Sequence, residues 1–157
     1  MERPLITKEG YQKIKEEYQI LIKVERPKII SAIEEALAHG DLKENAEYHA
    51  AKEKQGWVEG RIQRINYLLA ESHIVDVSSI QDDKISFGAT VTYENQDTEE
   101  KTTWQIVGEE ESDIANNKIS VKSPIAKALI GKSVGDELEI HIPKGTIEVE
   151  VTKLSYK

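Results

Sequence analysis

The spacing of Tyr48, Ala51, Gln55, Val58, Ile62, Ile65 and Leu69 constrains the fold of this chain more than any other feature. The steps alternate between three and four residues, and only Gln55 is polar. Such a seam packs against another helix in a left-handed coil, and it predicts a helix over about residues 42–71. A first helical segment is predicted over about 8–39. There Tyr11, Ile14, Tyr18 and Leu21 keep the same spacing, and the pattern resumes at Ile29, Ile33 and Ala36. Between the two stretches the register slips. Pro27 lies inside the slip, and its missing backbone donor predicts a bend or a loosened turn.

Only a short turn at Gly40 separates the segments, so their simplest arrangement is antiparallel. About 30 residues at 1.5 Å each give an arm roughly 45 Å long. A larger bundle would need further amphipathic helices, which the rest of the chain does not supply. Thr7 suits the N-cap of the first helix. The residue three positions on is Gly10, not the Glu of a capping box, so that motif is incomplete.

Beyond Ser72 the texture changes to β-branched alternation. Strands are predicted at Ile74–Val77, Ala89–Tyr93, Thr103–Val107, Leu138–Ile142 and Ile147–Val151, with Glu139, His141, Glu148 and Glu150 on one face. Turn residues at Asn95-Gln96-Asp97, Asn116-Asn117 and Lys144-Gly145 separate them. One short helix is expected after Ser123 as N-cap and Pro124 at the first helical position, ending at Gly131. The acidic run Glu109-Glu110-Glu111 reads as a solvated loop. The expected class is α+β: a helical hairpin over residues 1–75, with its tip near 39–45, and an antiparallel β domain over 76–157.

Composition narrows the function classes. There is no cysteine, which excludes disulfides and thiolate metal sites and fits a reducing cytoplasm. No apolar run reaches the roughly 20 residues of a membrane helix, and the N-terminus does not read as a signal peptide. A soluble, cytoplasmic chain without membrane association is expected. The net charge is −8, with −2 over residues 1–76 and −6 over 77–157. Strong binding of free nucleic acid needs a basic surface, so any such contact is expected to run through a protein partner.

Asp41 and Glu44 stand out because they fall between the helices. Local physics offers a plain role, since Asp at an N-cap with Glu three residues later completes a capping box and suits the helix dipole. A capped turn also fixes two carboxylates on one side of a tip. His39 and His49 lie nearby in sequence, but a zinc site wants three convergent ligands with support behind them. Two open carboxylates can instead share a magnesium ion whose other ligands come from elsewhere. Lys43, Lys52, Lys54, Arg61 and Arg64 form a modest basic stripe, equally explained by solubility and i,i+4 pairing. Trp57 and Trp104 read as packing residues. No nucleophile with an adjacent base and no glycine-rich phosphate loop is present.

The run Gly40-Asp41-Leu42-Lys43-Glu44-Asn45-Ala46-Glu47-Tyr48, continuing through Lys52, closely resembles the tip motif of the bacterial Gre family of transcript cleavage factors, GreA type. The similarity extends over the whole chain, including Arg26-Pro27, Gly88-Ala89-Thr90-Val91, Ile106-Val107-Gly108 and Ser123-Pro124-Ile125-Ala126. It implies a coiled-coil hairpin followed by an FKBP-like domain. It further implies a factor that binds RNA polymerase through its secondary channel and stimulates the polymerase's own cleavage of backtracked RNA. By that resemblance Asp41 and Glu44 assist catalysis by helping to hold a second Mg2+ of the polymerase and orienting water, with no intrinsic cofactor and no catalysis by the chain alone. Lys52, Lys43 and Arg61 become candidates for contact with the nascent RNA 3′ end, and Ser123 and Pro124 candidates for docking on polymerase. Leu37 occupies a spot where similar chains are expected to carry a basic residue. Two other readings compete: a channel-binding regulator without cleavage activity, and a peptidyl-prolyl isomerase. The aromatic set Phe87, Tyr93, Trp104 and Tyr156 is thin for an isomerase pocket.

Overall fold

The computed structural model describes residues 3–40 and 45–157. The chain divides into two compact units: the N-terminal residues up to Gly10 together with His73–Lys157, and Tyr11–Ser72. The sequence boundary near residue 75 groups the first residues with the hairpin. Here they belong with the C-terminal unit, because strand β1 (Leu5–Thr7) pairs in parallel with β2 (His73–Val75).

The hairpin unit contains α1 (Lys8–Ile20) from Tyr11 onward, α2 (Arg26–Leu37) and α3 (Ala46–Glu71). Cross-helix partners run in opposite order along the two arms. Tyr11 bonds the Leu69 carbonyl, Glu17 holds Arg61, Arg26 holds Glu59, and Asn45 bonds the Ala36 carbonyl. The arms are therefore antiparallel. Ile14, Leu21, Ile29 and Ala36 are buried on the first arm, and Val58, Ile62, Ile65 and Leu68 on the second. The seam thus ends on Leu68, with Leu69 half-buried beside it.

The first arm is not one continuous α-helix. Residues Leu21–Glu25 form a π turn, in which the Arg26 N–H reaches back five residues to the Leu21 carbonyl. Leu21 and Ile29 are both buried, yet they lie eight residues apart where a heptad places seven. In a regular α-helix the extra residue would rotate everything beyond it by about 100° off the seam. The π turn absorbs that residue and returns Ile29 to the interface. Pro27 sits in the first turn of α2, where the missing N–H costs little. The slip is thus a one-residue insertion, not a proline kink. Val24 is 46% exposed, and deleting it restores the seven-residue step. That deletion is expected to keep the helix content and leave Tm equal or higher in circular-dichroism melts. A loss above about 1 kcal/mol would show that the π turn is held by more than the seam.

The other unit carries a five-stranded sheet in the order β5-β4-β3-β7-β6. Its strands are β3 (Thr90–Asn95), β4 (Lys101–Val107), β5 (Lys118–Ser120), β6 (Glu137–Ile142) and β7 (Gly145–Ser155). All neighbours are antiparallel except β4 and β5, which run parallel. The sheet is thus mixed, a correction to the expected antiparallel one. Helix α4 (Pro124–Leu129) packs Ala126 and Leu129 into a core with Val91, Tyr93, Ile106, Ile140, Val149 and Val151. On the opposite side of β6 and β7, Glu137 faces Glu150 and Glu139 faces Glu148, as the alternation predicts. Asn117 takes the left-handed conformation, with φ 59°, in the turn before β5.

Candidate functional site

Asp41, Glu44 and Lys43 lie outside the described residues; their flanks are described. Helix α2 ends at Leu37, and Gly40 closes the next turn with φ +100°, donating its N–H to the Leu37 carbonyl at 3.3 Å. Helix α3 begins at Ala46 with Asn45 as its N-cap, whose Oδ1 accepts the Tyr48 N–H at 3.0 Å. The capping box expected at Asp41 and Glu44 falls outside the described residues. The observed N-cap of α3 is Asn45.

Asn45 also does something the sequence did not suggest. Its Nδ2 donates to the Ala36 carbonyl at 2.6 Å, joining the end of one helix to the start of the other. An amide carries both an acceptor and donors, so one side chain makes both bonds. The only legible signal was that Asn is a favoured N-cap. His39 and Glu47, from opposite sides of the turn, approach to 3.9 Å. Among the described residues no group of three or more His, Asp or Glu side chains converges as a metal site.

The basic candidates separate. Lys52 is exposed and donates to Gln55 on its own helix at 3.1 Å, leaving its charge facing solvent. Arg61 instead grips Glu17 across the hairpin in a bidentate pair at 2.7 and 2.8 Å. Arg26 makes an equivalent pair with Glu59 at 3.0 and 2.8 Å. Bidentate geometry favours both pairs, but partial exposure limits such pairs to about 1 kcal/mol. Arg61 thus has a structural role in tying the arms together. A cleft beside Arg26 and Glu59, lined also by Ile29, Ile30, Gln55 and Val58, has a volume of ≈ 80 Å³. That is far below the roughly 300 Å³ of a small-molecule site.

Trp57 is 66% exposed, which corrects its reading as a packing residue. Trp104 does pack, and its indole N–H donates to the Tyr93 hydroxyl at 3.0 Å. Burial raises the Tyr93 phenol above its ordinary value, with the Trp104 bond acting in the opposite direction. Tyr156 is likewise committed, donating to the Lys84 carbonyl and accepting the Ser86 N–H. Ser123 caps α4 by accepting the Ala126 N–H at 3.2 Å, and Pro124 stands exposed beside it at the first helical position.

The acidic run departs from the solvated-loop reading at Glu111. Its carboxylate accepts the Thr7 N–H at 2.9 Å, the Gly108 N–H at 3.0 Å and the Thr7 hydroxyl. Thr7 in turn accepts the Gly10 N–H at 3.0 Å. The acid missing from the first helix's capping box is thus supplied from 104 residues away.

Comparison with known proteins places the chain. Residues 4–74 match the family model described as transcription elongation factor, N-terminal, and residues 80–156 match transcription elongation factor, GreA/GreB, C-term. A transcription elongation factor GreA from Hyphomonas neptunium is 54% identical over 157 residues, covering 100% of both chains. Another, from Francisella philomiragia, is 54% identical over 153 residues, 97% of this chain and 96% of the relative. Among solved structures, GreA factor homolog 1 of Thermus thermophilus is 27% identical, with TM-score 0.45 over 98% of this chain and 99% of that one. The assignment rests on the sequence matches, which span both units. The chain belongs to the GreA/GreB family of transcription elongation factors.

Proposed function

We propose that this elongation factor acts on RNA polymerase in the cytoplasm. It enters through the secondary channel and stimulates the polymerase's own hydrolysis of backtracked RNA, and is not itself the hydrolase. The observation that carries this reading is the acidic pair between two antiparallel helices, within a chain whose family assignment covers both halves.

The donor chemistry fits Mg2+, a hard cation that takes carboxylate oxygens and keeps several other ligands. Two carboxylates fill only part of an octahedral shell, and no further cluster of three acidic or His groups lies among the described residues. The remaining ligands would be water and groups of the polymerase. Asp41 and Glu44 would help to hold a second Mg2+, which together with the polymerase's first would supply charge stabilisation for an in-line displacement. In this chain, Asp41 and Glu44 supply oxygen donors and accept hydrogen bonds from the attacking water. Lys52, with its ammonium in solvent, offers a charge contact to extruded RNA, while Arg61 is already engaged with Glu17. Pro124 and the capped start of α4 offer a docking surface on the polymerase.

The test adds purified protein and Mg2+ to stalled elongation complexes carrying labelled RNA. Short 3′ fragments are expected only when factor and polymerase are both present. Cleavage of RNA by the protein without polymerase would overturn the reading. Full occupancy of polymerase without any gain in cleavage would favour a channel-binding regulator instead.

A further inference from the structure

We infer that Asn45 is a positioning residue for the cleavage reaction, holding together the two ends of the segment that carries the acids. This rests on the function proposed above and assigns a part in it to a residue that does not meet the reacting atoms.

Capping needs only an acceptor for an N–H of the first turn, and Asp, Ser and Asn serve about equally well. At this position the side chain does more than cap. While Oδ1 accepts the Tyr48 N–H, Nδ2 donates to the Ala36 carbonyl nine positions earlier. Ala36 is only 2% exposed, and its carbonyl also accepts the His39 N–H at 3.1 Å. The bond therefore joins the buried end of the α2 seam to the first turn of α3.

Asp41 and Glu44 lie in sequence between these two anchors, which one side chain joins. Fixing both ends of a connecting segment reduces the conformations open to a chain between them. Catalytic groups displaced by about 1 Å lose on the order of a hundredfold in rate. The cross-turn bond is the part of Asn45 that local helix chemistry does not demand.

Two variants separate the cap from the tie. Asn45→Asp keeps an acceptor for Tyr48 but presents a carboxylate to the Ala36 carbonyl. Asn45→Ser keeps a neutral cap but is too short to reach it. Cleavage in stalled complexes is measured against factor concentration, alongside wild type, Asp41→Asn and Glu44→Gln. Both Asn45 variants are expected to lower the maximal rate by about 10–100-fold. The half-saturating concentration should stay within about twofold, with helix content and Tm near wild type. A wild-type maximal rate from Asn45→Ser overturns the inference, even if Asn45→Asp is slow, since the Asp effect would then be one of charge. A loss seen only as weaker half-saturation overturns it too, because that is a docking effect. If wild type itself fails to stimulate cleavage, the proposed function falls, and that outcome is distinct from either.

Discussion

Asp41→Asn and Glu44→Gln are each expected to cut the stimulated cleavage rate by at least about 10–100-fold while leaving polymerase occupancy within about twofold of wild type. Either change removes a charge but keeps side-chain size, so the hairpin is not asked to repack. An amide oxygen is a much poorer partner for Mg2+ than a carboxylate, and the loss of one ligand or its orienting group typically costs that range in metal affinity or activity. The seam that holds the hairpin lies between Ile14 and Ala36 on one arm and between Val58 and Leu68 on the other, away from both acids in sequence. Asn45 continues to cap α3 in either variant. Melting temperature and helix content should therefore not move. Because the two acids act on one shared site, the double variant should be little worse than the more damaging single one. Additive losses would mean that the acids work independently.

The second large effect lies at the start of α1, where Gly10→Ala should change sign with its background. A Cβ on Gly10 would stand 2.1 Å from Glu111 Oε1 and 2.4 Å from its Cδ. The obstacle is a flexible side chain, so Glu111 will swing aside and abandon its three donors. Leaving Thr7 and Gly108 N–H groups without their acceptor costs about 1–3 kcal/mol. In a Glu111→Ala protein there is nothing left to displace. Alanine in a helix is better than glycine by about 0.5–1 kcal/mol, so there Gly10→Ala should stabilise. Gly108→Ala is a different case, because its Cβ would meet the Leu5 backbone carbonyl at 2.1 Å. Backbone cannot step aside as a side chain does, and a loss of about 3 kcal/mol is expected in every background. Denaturant melts of the four Gly10/Glu111 combinations measure the coupling. If Gly10→Ala destabilises both backgrounds equally, Glu111 is not what the glycine accommodates.

Legibility in the sequence followed the range of the interaction. The α3 seam was readable because heptad spacing is local and repeats over six turns. The break in the first arm was readable as well, but its cause was not. Pro27 offered a familiar explanation, whereas the eight-residue step from Leu21 to Ile29 was the relevant signal, and a π turn is how a helix absorbs it. The three-residue strands β1 and β5 are too short for any period to declare itself. Glu111 sat in what looked like a solvated charge run, because nothing local reveals a partner 104 positions away. Trp57 is exposed despite its size, since aromatic size predicts burial only on average. The capping-box pattern at Asp41 and Glu44 lies outside the described residues. Asn45, four residues after Asp41, is an equally good cap, and spacing alone does not choose between them.

The Mg2+ dependence of cleavage in stalled complexes tests the central claim most directly, because it separates help with the ion from help with docking. Cleavage rates are measured across a Mg2+ titration with no factor, with saturating wild type, and with saturating Asp41→Asn or Glu44→Gln. Wild type is expected to lower the half-saturating Mg2+ concentration by about tenfold or more, and each variant to return it to the factor-free value. An unchanged Mg2+ requirement with wild type, or an equal reduction by either variant, would contradict the assignment of these carboxylates.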